Sequence, residues 1–209
     1  MSLNTCRQLL MIWHSRTGAA RQLAEQAEEG ALEVLRELDM TDHLRIKRVH
    51  CDRVQAQDLR DSQAYLFCAP ENLASLSGAM KECLDRNYYE VLDQLNGRPY
   101  SALISAGSDG QGAQRQLERI CTGWRLELVA PIRIFNFHAQ TPESILAPKS
   151  LNSEQIAQAR EAGGHLAALL GTTADDATFS RLCQIQGVSD RVKAVVDECG
   201  PADFTRVIK

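Results

Sequence analysis

The sequence predicts an α/β protein with one parallel sheet covered by helices on both faces. Three observations lead there: short, nearly unbroken apolar runs, amphipathic stretches of helical period between them, and turn residues or caps at the changeovers. A strand buried on both faces has no polar side, and parallel neighbours need a crossover of a dozen or more residues, usually a helix. The chain has 209 residues, 44% hydrophobic and 24% charged, enough for one core with a small appendage.

Residues 8–13 (QLLMIW) give the first strand. Leu23, Ala27, Leu32, Leu35 and Leu38 then recur at helical spacing, predicting a helix over 19–38. Residues 44–49 (LRIKRV) alternate apolar with basic side chains, as a strand with one wet face or a place near the sheet edge does. A short polar helix or turn over 56–60 leads to residues 64–68 (AYLFC), wholly apolar and therefore central. Leu76, Ala79, Met80, Cys83 and Leu84 fall on one helical face, so the next helix starts near Ser75 or Ser77, with either hydroxyl as N-cap. Residues 100–105 (YSALIS) are the fourth strand, and Leu117, Ile120 and Cys121 mark the helix after it. Residues 126–130 and 132–137 supply a fifth strand, interrupted or redirected at Pro131. Ser153 caps a helix to about Leu170, ended by Gly171.

Residues 172–209 fit this alternation poorly. They are polar, with one short helix over 189–199 stopped by Gly200-Pro201. The expected organisation is a domain over 1–171 and an extension over 172–209 that packs on it or on a partner subunit.

Composition removes several classes. With 23 Lys and Arg against 27 Asp and Glu, net charge −4, no global positive field draws in nucleic acid or an anionic membrane. No apolar run approaches the roughly 20 residues of a bilayer-spanning helix, and no secretory leader is evident, so a cytoplasmic protein is expected. Seven cysteines, odd in number and never spaced as CxxC, argue against a disulfide framework and a structural zinc site. His43, His138 and His165 lack ligand spacing with one another, so no metal is expected.

In such sheets ligands bind beyond the carboxyl ends of the strands, where strand order reverses, which singles out three loops. The first is His14-Ser15-Arg16-Thr17-Gly18-Ala19-Ala20, entering a helix. Backbone N–H groups, two hydroxyls and a guanidinium there suit a phosphate, with ordinary helix capping as the alternative. It is no nucleotide triphosphatase loop, because GxxxxGK[ST] is missing, and GxGxxG is missing as well. The second loop starts at Ala69-Pro70-Glu71-Asn72-Leu73 and the third at Ala106-Gly107-Ser108. Their backbone groups suit the polar edge of a flat heteroaromatic ring, with plain turns as the alternative.

Ser15-x-Thr17-Gly18 after the first strand resembles the phosphate loop of the flavodoxin-like superfamily. Residues 58–85 resemble the segment of FMN-dependent NAD(P)H:quinone and FMN reductases in which a strand ends in a Pro-containing loop and a Ser/Gly-rich turn starts a helix. Residues 96–112, an NGRP turn, an apolar strand and a glycine-rich loop, are similar to that family's fourth strand and third flavin loop. The resemblance spans roughly residues 8–170. It implies a flavodoxin-like, doubly wound five-stranded parallel sheet of order 2-1-3-4-5, with FMN over the switch point between strands one and three. Ser15, Arg16, Thr17, Gly18, Ala19 and Ala20 would hold the phosphate. Pro70, Glu71, Asn72 and Leu73, with Gly107 and Ser108, would border the isoalloxazine. NAD(P)H as electron donor, a small-molecule acceptor and a homo-oligomer are implied too.

Two departures stand out. Ala19-Ala20 replaces the hydroxyl or Asn usual at the end of the phosphate loop, removing a hydrogen bond worth about 0.5–1.5 kcal/mol. Glu71-Asn72-Leu73 replaces the usual aromatic after Pro, so no ring there stacks on the flavin, and an inward Glu71 would disfavour an anionic reduced flavin. An electron carrier without a substrate pocket, and a scaffold that has lost flavin, therefore stand as alternatives. His14 at the mouth of the first loop is a candidate phosphate contact or proton donor, against a packing role. Cys68 stands beside the proposed ring without a resolving partner, so a buried thiol is expected there.

Overall fold

Burial on both faces is what the apolar runs require, and the strands provide it. In the computed structural model, which describes residues 7–172, β1 (Arg7–Trp13) has Leu9, Leu10, Met11 and Ile12 fully buried. It pairs in parallel with β2 (Leu44–His50) on one side and β3 (Ala64–Asn72) on the other. A two-residue β4 (Ser75–Leu76) folds back antiparallel on the end of β3. Beyond β3 come β5 (Pro99–Ala106) and then β6 (Glu127–Leu128) and β7 (Arg133–Asn136), both parallel to β5. The order β2-β1-β3-β5-β6, with β7 also on β5, is the expected 2-1-3-4-5 with its last strand in two pieces. The break spans Pro131, which has no N–H for the ladder, and Ser101 Oγ donates to Ala130 O at 3.3 Å in the gap.

Side chains alternate across the sheet. Leu10, Ile12, Tyr65 and Phe67 join a core with α2 (Ala56–Asp61), α3 (Gly78–Tyr88) and α4 (Gln111–Gly123). Leu9, Met11, Leu66 and Cys68 join the core under α1 (Ala19–Glu37) and α6 (Ser153–Thr172), with the short α5 (Pro142–Leu146) leading into the latter. The two long helices pack closely through small residues: a Cβ on Gly163 would lie 1.9 Å from Ala27 O.

Three local expectations need correction. The second loop is not a plain connection: β3 runs through Pro70, Glu71 and Asn72 and turns back into β4 as a hairpin, with Leu73 and Ala74 at φ 51° and 56°. The last helix is capped by Asn152 rather than Ser153. Asn152 Oδ1 accepts from Gln155 N–H at 2.8 Å, and Gln155 Oε1 accepts from Asn152 N–H at 3.0 Å. Gly171 lies inside α6 rather than beyond its end. The helix expected over 189–199, and nearly all of the extension, fall outside the described residues. Among the described residues no helix is long and apolar enough to cross a membrane.

Candidate functional site

The first loop leaves β1 and enters α1 with the N–H groups of the helix start uncommitted. Gly18 is the N-cap at φ 94°, a left-handed conformation that glycine adopts without steric cost, and no side chain caps the helix. Ser15 Oγ accepts from Gly18 N–H at 3.1 Å and so folds the loop on itself. The N–H groups of the first turn, at Ala19 and Ala20, have no intrahelical acceptor and sit at the positive end of a 19-residue helix. Both alanine side chains are buried, so the polar groups these two residues offer the loop are their backbone ones alone. A cavity of about 460 Å³ opens beside the loop, with Ser15, Arg16, Thr17 and Gly18 as one wall.

Contacts invisible in the sequence hold that loop from the far side of the chain. Lys149 N–H donates to Thr17 O at 2.8 Å. Gln22 Nε2 donates to Gly18 O at 3.1 Å and Lys149 O at 2.6 Å, and Gln22 Oε1 accepts from Leu151 N–H at 3.3 Å. The Lys149 ammonium is turned to the end of α5, donating to Ser144 O and Ala147 O at 2.5 Å each. No local spacing announces the bonds from Gln22 to Lys149 and Leu151, because those partners are more than 120 residues apart.

The structure brings all three expected loops together and shows what binds them. His14 Nδ1 lies 2.8 Å from Ser77 Oγ, so the hydroxyl at the start of α3 reaches the first loop instead of capping its helix. Arg16 Nε donates to Asn72 Oδ1 at 3.2 Å in the amide orientation that also lets Asn72 Nδ2 donate to Glu71 O at 2.9 Å. Glu71 Oε2 accepts from Gly110 N–H at 3.0 Å at the start of α4, joining the hairpin to the third loop. Glu71 Oε1 is buried with no partner. Ser77 N–H donates to Pro70 O at 3.0 Å, and Gly107 O accepts from Ala139 N–H at 2.9 Å. Ser108 and Leu73 are exposed, Leu73 fully, at the tip of the hairpin.

Electrostatics sort the remaining candidates. Burial first, then the neighbouring His50 and Arg16, hold the His14 imidazole below its ordinary value, which favours a neutral ring bonded to Ser77. Cys68 is fully buried and its thiol is pushed far up, so it is inert packing in the middle of β3, which continues to Asn72. His50, Cys51 and Asp52, a trio the sequence reading passed over, bring their ligand atoms within 4.8 Å of one another. Burial, with Asp52 adding to it, pushes the Cys51 thiol up to about 12, and its Sγ hydrogen-bonds to Asp52 Oδ1 at 3.4 Å. The trio is thus a hydrogen-bonded turn whose thiol is held protonated.

The site geometry agrees with what the chain is similar to. The family model described as NADPH-dependent FMN reductase matches residues 14–140, from the first loop to just past the third. A model described as BD-FAE matches residues 150–209, less than half of the chain. No curated protein matches. Among solved structures, a flavodoxin from the domain Archaea aligns at TM-score 0.61 and 12% identity, covering 77% of this chain and 96% of its own. A WrbA-like flavodoxin from Agrobacterium tumefaciens aligns at TM-score 0.56 and 13% identity, covering 78% and 96%. An oxidoreductase from Corynebacterium diphtheriae aligns at TM-score 0.58 and 20% identity, covering 79% and 97%. At these identities the structural likeness speaks for the flavodoxin-like fold.

Proposed function

Because the chain belongs to the NADPH-dependent FMN reductase family, we propose that it binds FMN across the three loops and passes electrons from NAD(P)H to a quinone, a flavin or another small acceptor. The observation that carries this reading is the start of α1, where a left-handed Gly18 caps the helix and no side chain occupies its N–H groups. A phosphate satisfies such donors in both geometry and charge.

The residues present fit the group. Thr17, the guanidinium of Arg16 and the N–H groups of Ala19 and Ala20 hold the phosphate, while Ser15 Oγ sets the loop through Gly18. The hairpin and the third loop border the ring, and the Glu71–Gly110 bond keeps those two walls at a fixed spacing. When bound, FMN supplies two-electron redox chemistry, oxidising NAD(P)H and then reducing the acceptor. The protein's share is position. His14 and Arg16 lock the first loop to the second, and no aromatic in the hairpin covers the ring.

The test is purification without added cofactor, a visible spectrum, and an FMN titration by fluorescence quenching. Arg16→Ala removes a charge-assisted bond of about 1.5–3 kcal/mol, so FMN affinity falls by about ten- to a hundredfold. Unchanged affinity would remove Arg16 from the phosphate site. Quinone-dependent NAD(P)H oxidation marks the reductase, whereas a stabilised semiquinone without turnover marks an electron carrier. A chain that takes up no FMN leaves only the scaffold reading.

A further inference from the structure

The turn that follows β2 sets an imidazole, a thiol and a carboxylate side by side. His50, Cys51 and Asp52 are consecutive, so they show none of the spaced ligand pairs by which a metal site is read from sequence. A single 3-10 turn over Cys51–Arg53 brings their ligand atoms within 4.8 Å of one another. His50 Nδ1 lies 3.3 Å from Asp52 Oδ2, and Cys51 Sγ lies 3.4 Å from Asp52 Oδ1. At a tetrahedral Zn2+, with bonds of about 2.0–2.3 Å, nitrogen and oxygen ligands stand about 3.3 Å apart, and sulfur and oxygen about 3.5 Å. The carboxylate stands between the other two with one oxygen turned to each, and at 66% exposure its side chain is free to rotate onto a shared ion.

Two further features call for a cation there. Asp52 N–H donates to His50 Nδ1 at 3.4 Å, so that nitrogen presents a lone pair, and the lone pair also faces the carboxylate oxygen at 3.3 Å. Two acceptors set against each other gain from a positive ion between them. Among the described residues, moreover, Asp52 forms no ion pair with Lys or Arg. Arg86 is taken by Glu82 and by the carbonyls of Cys51 and Val54, Arg48 by Glu28, and Lys47 by Asp58. The Arg86 bonds, 3.1 Å and 3.2 Å, pin the turn from behind. Trp13 holds the His50 ring edge to face, 4.6 Å between centroids, and Cys51 is fully buried, so two of the three ligands are preset.

We propose that His50, Cys51 and Asp52 form a Zn2+ site at the end of β2, with water in the fourth position. Sulfur and imidazole beside one carboxylate select a borderline-soft ion over Mg2+ or Ca2+, which take oxygen ligands. Binding exchanges the Cys51 S–H bond for a sulfur–zinc bond and releases that proton to solvent. The assignment stands apart from the flavin reading and needs no bound flavin.

Equilibrium dialysis of the full chain against Zn2+ tests it, alongside His50→Gln and Asp52→Asn. Both positions are partly or largely exposed, and both replacements keep an acceptor for the local hydrogen bonds. The wild type should bind Zn2+ at micromolar concentration, and each substitution should weaken binding at least about tenfold, the low end of what even an outer-shell change costs. Co2+ in place of Zn2+ should give a thiolate charge-transfer band that fades with either substitution. No Zn2+ binding by the wild type, or an affinity unchanged in either variant, would overturn the site. A Co2+ spectrum without a thiolate band, or a band that survives both substitutions and so belongs to another cysteine, would overturn it as well.

Discussion

Gly112→Ala separates the stability of this fold from the geometry of its site. Gly112 is the second residue of α4, and a Cβ there would sit 2.1 Å from Ala74 O and 2.8 Å from Ala74 C, both backbone atoms of the hairpin turn. Ordinary contact begins near 3.4 Å, so helix and hairpin must part by about 1.3 Å, the difference of the two distances. Overpacking of this size costs about 1–3 kcal/mol, and the better helix propensity of alanine offsets up to about 1 kcal/mol. A net loss of about 0–3 kcal/mol is expected in urea unfolding. The displaced segment carries Pro70, Glu71 and Asn72, and the bonds Gly110 N–H to Glu71 and Leu76 N–H to Gln116 lengthen with it. If one or two ring contacts of about 0.5–1.5 kcal/mol are lost, flavin affinity drops by about 2- to 150-fold. Gly123→Ala is the matched control at the other end of the same helix, where an added Cβ meets nothing within 4 Å. Should the two variants behave alike in stability and flavin titration, the hairpin is not wedged against α4 as described and the argument falls.

Three other perturbations read different parts of the site. Gly18→Ala has room for its methyl, the nearest atoms being 3.5 Å and 3.7 Å away, so its cost is the left-handed backbone, about 1–2 kcal/mol, visible in urea midpoints and in weaker phosphate binding. Wild-type midpoints in both would show that the loop does not need that conformation. The lowered His14 value means that the folded protein takes up this proton less readily than the unfolded chain. Stability is therefore fully present above pH 6.5 and is lost as pH falls through the depressed value, and His14→Gln should flatten that part of the profile. A profile identical in the variant would assign the acid sensitivity elsewhere. Glu71→Gln keeps an acceptor for Gly110 N–H but removes negative charge beside the proposed ring site, so the reduction potential of bound flavin should rise. A potential unchanged by the substitution would mean that this carboxylate faces away from the ring.

The sheet was legible because its strands are buried on both faces. Runs such as AYLFC and YSALIS have no polar alternation to confuse them, and Pro131 marked the broken last strand correctly. The start of α1 was legible for the same kind of reason, since a glycine after two hydroxyl residues at a strand end leaves little else to build. The hairpin was not, because its turn is Leu73-Ala74, neither of them a residue that signals a left-handed turn, and a reading from composition hears only a loop. Gln22 and Lys149 were equally silent. A glutamine in a helix and a lysine in a loop acquire their roles only when α6 is laid beside α1.

That placement explains why the first loop holds its shape with so little side-chain capping. Thr17 O is fixed by Lys149 N–H and Gly18 O by the Gln22 amide, and Gln22 in turn holds the backbone of Lys149 and Leu151 just before α6. The position of that segment depends on how closely α6 approaches α1, which the backbone contact at Gly163 sets. The loop's carbonyls are thus bound by the fold while its N–H groups at the helix start are left over. An anion site requires that division, because donors that had satisfied one another would gain nothing from a phosphate.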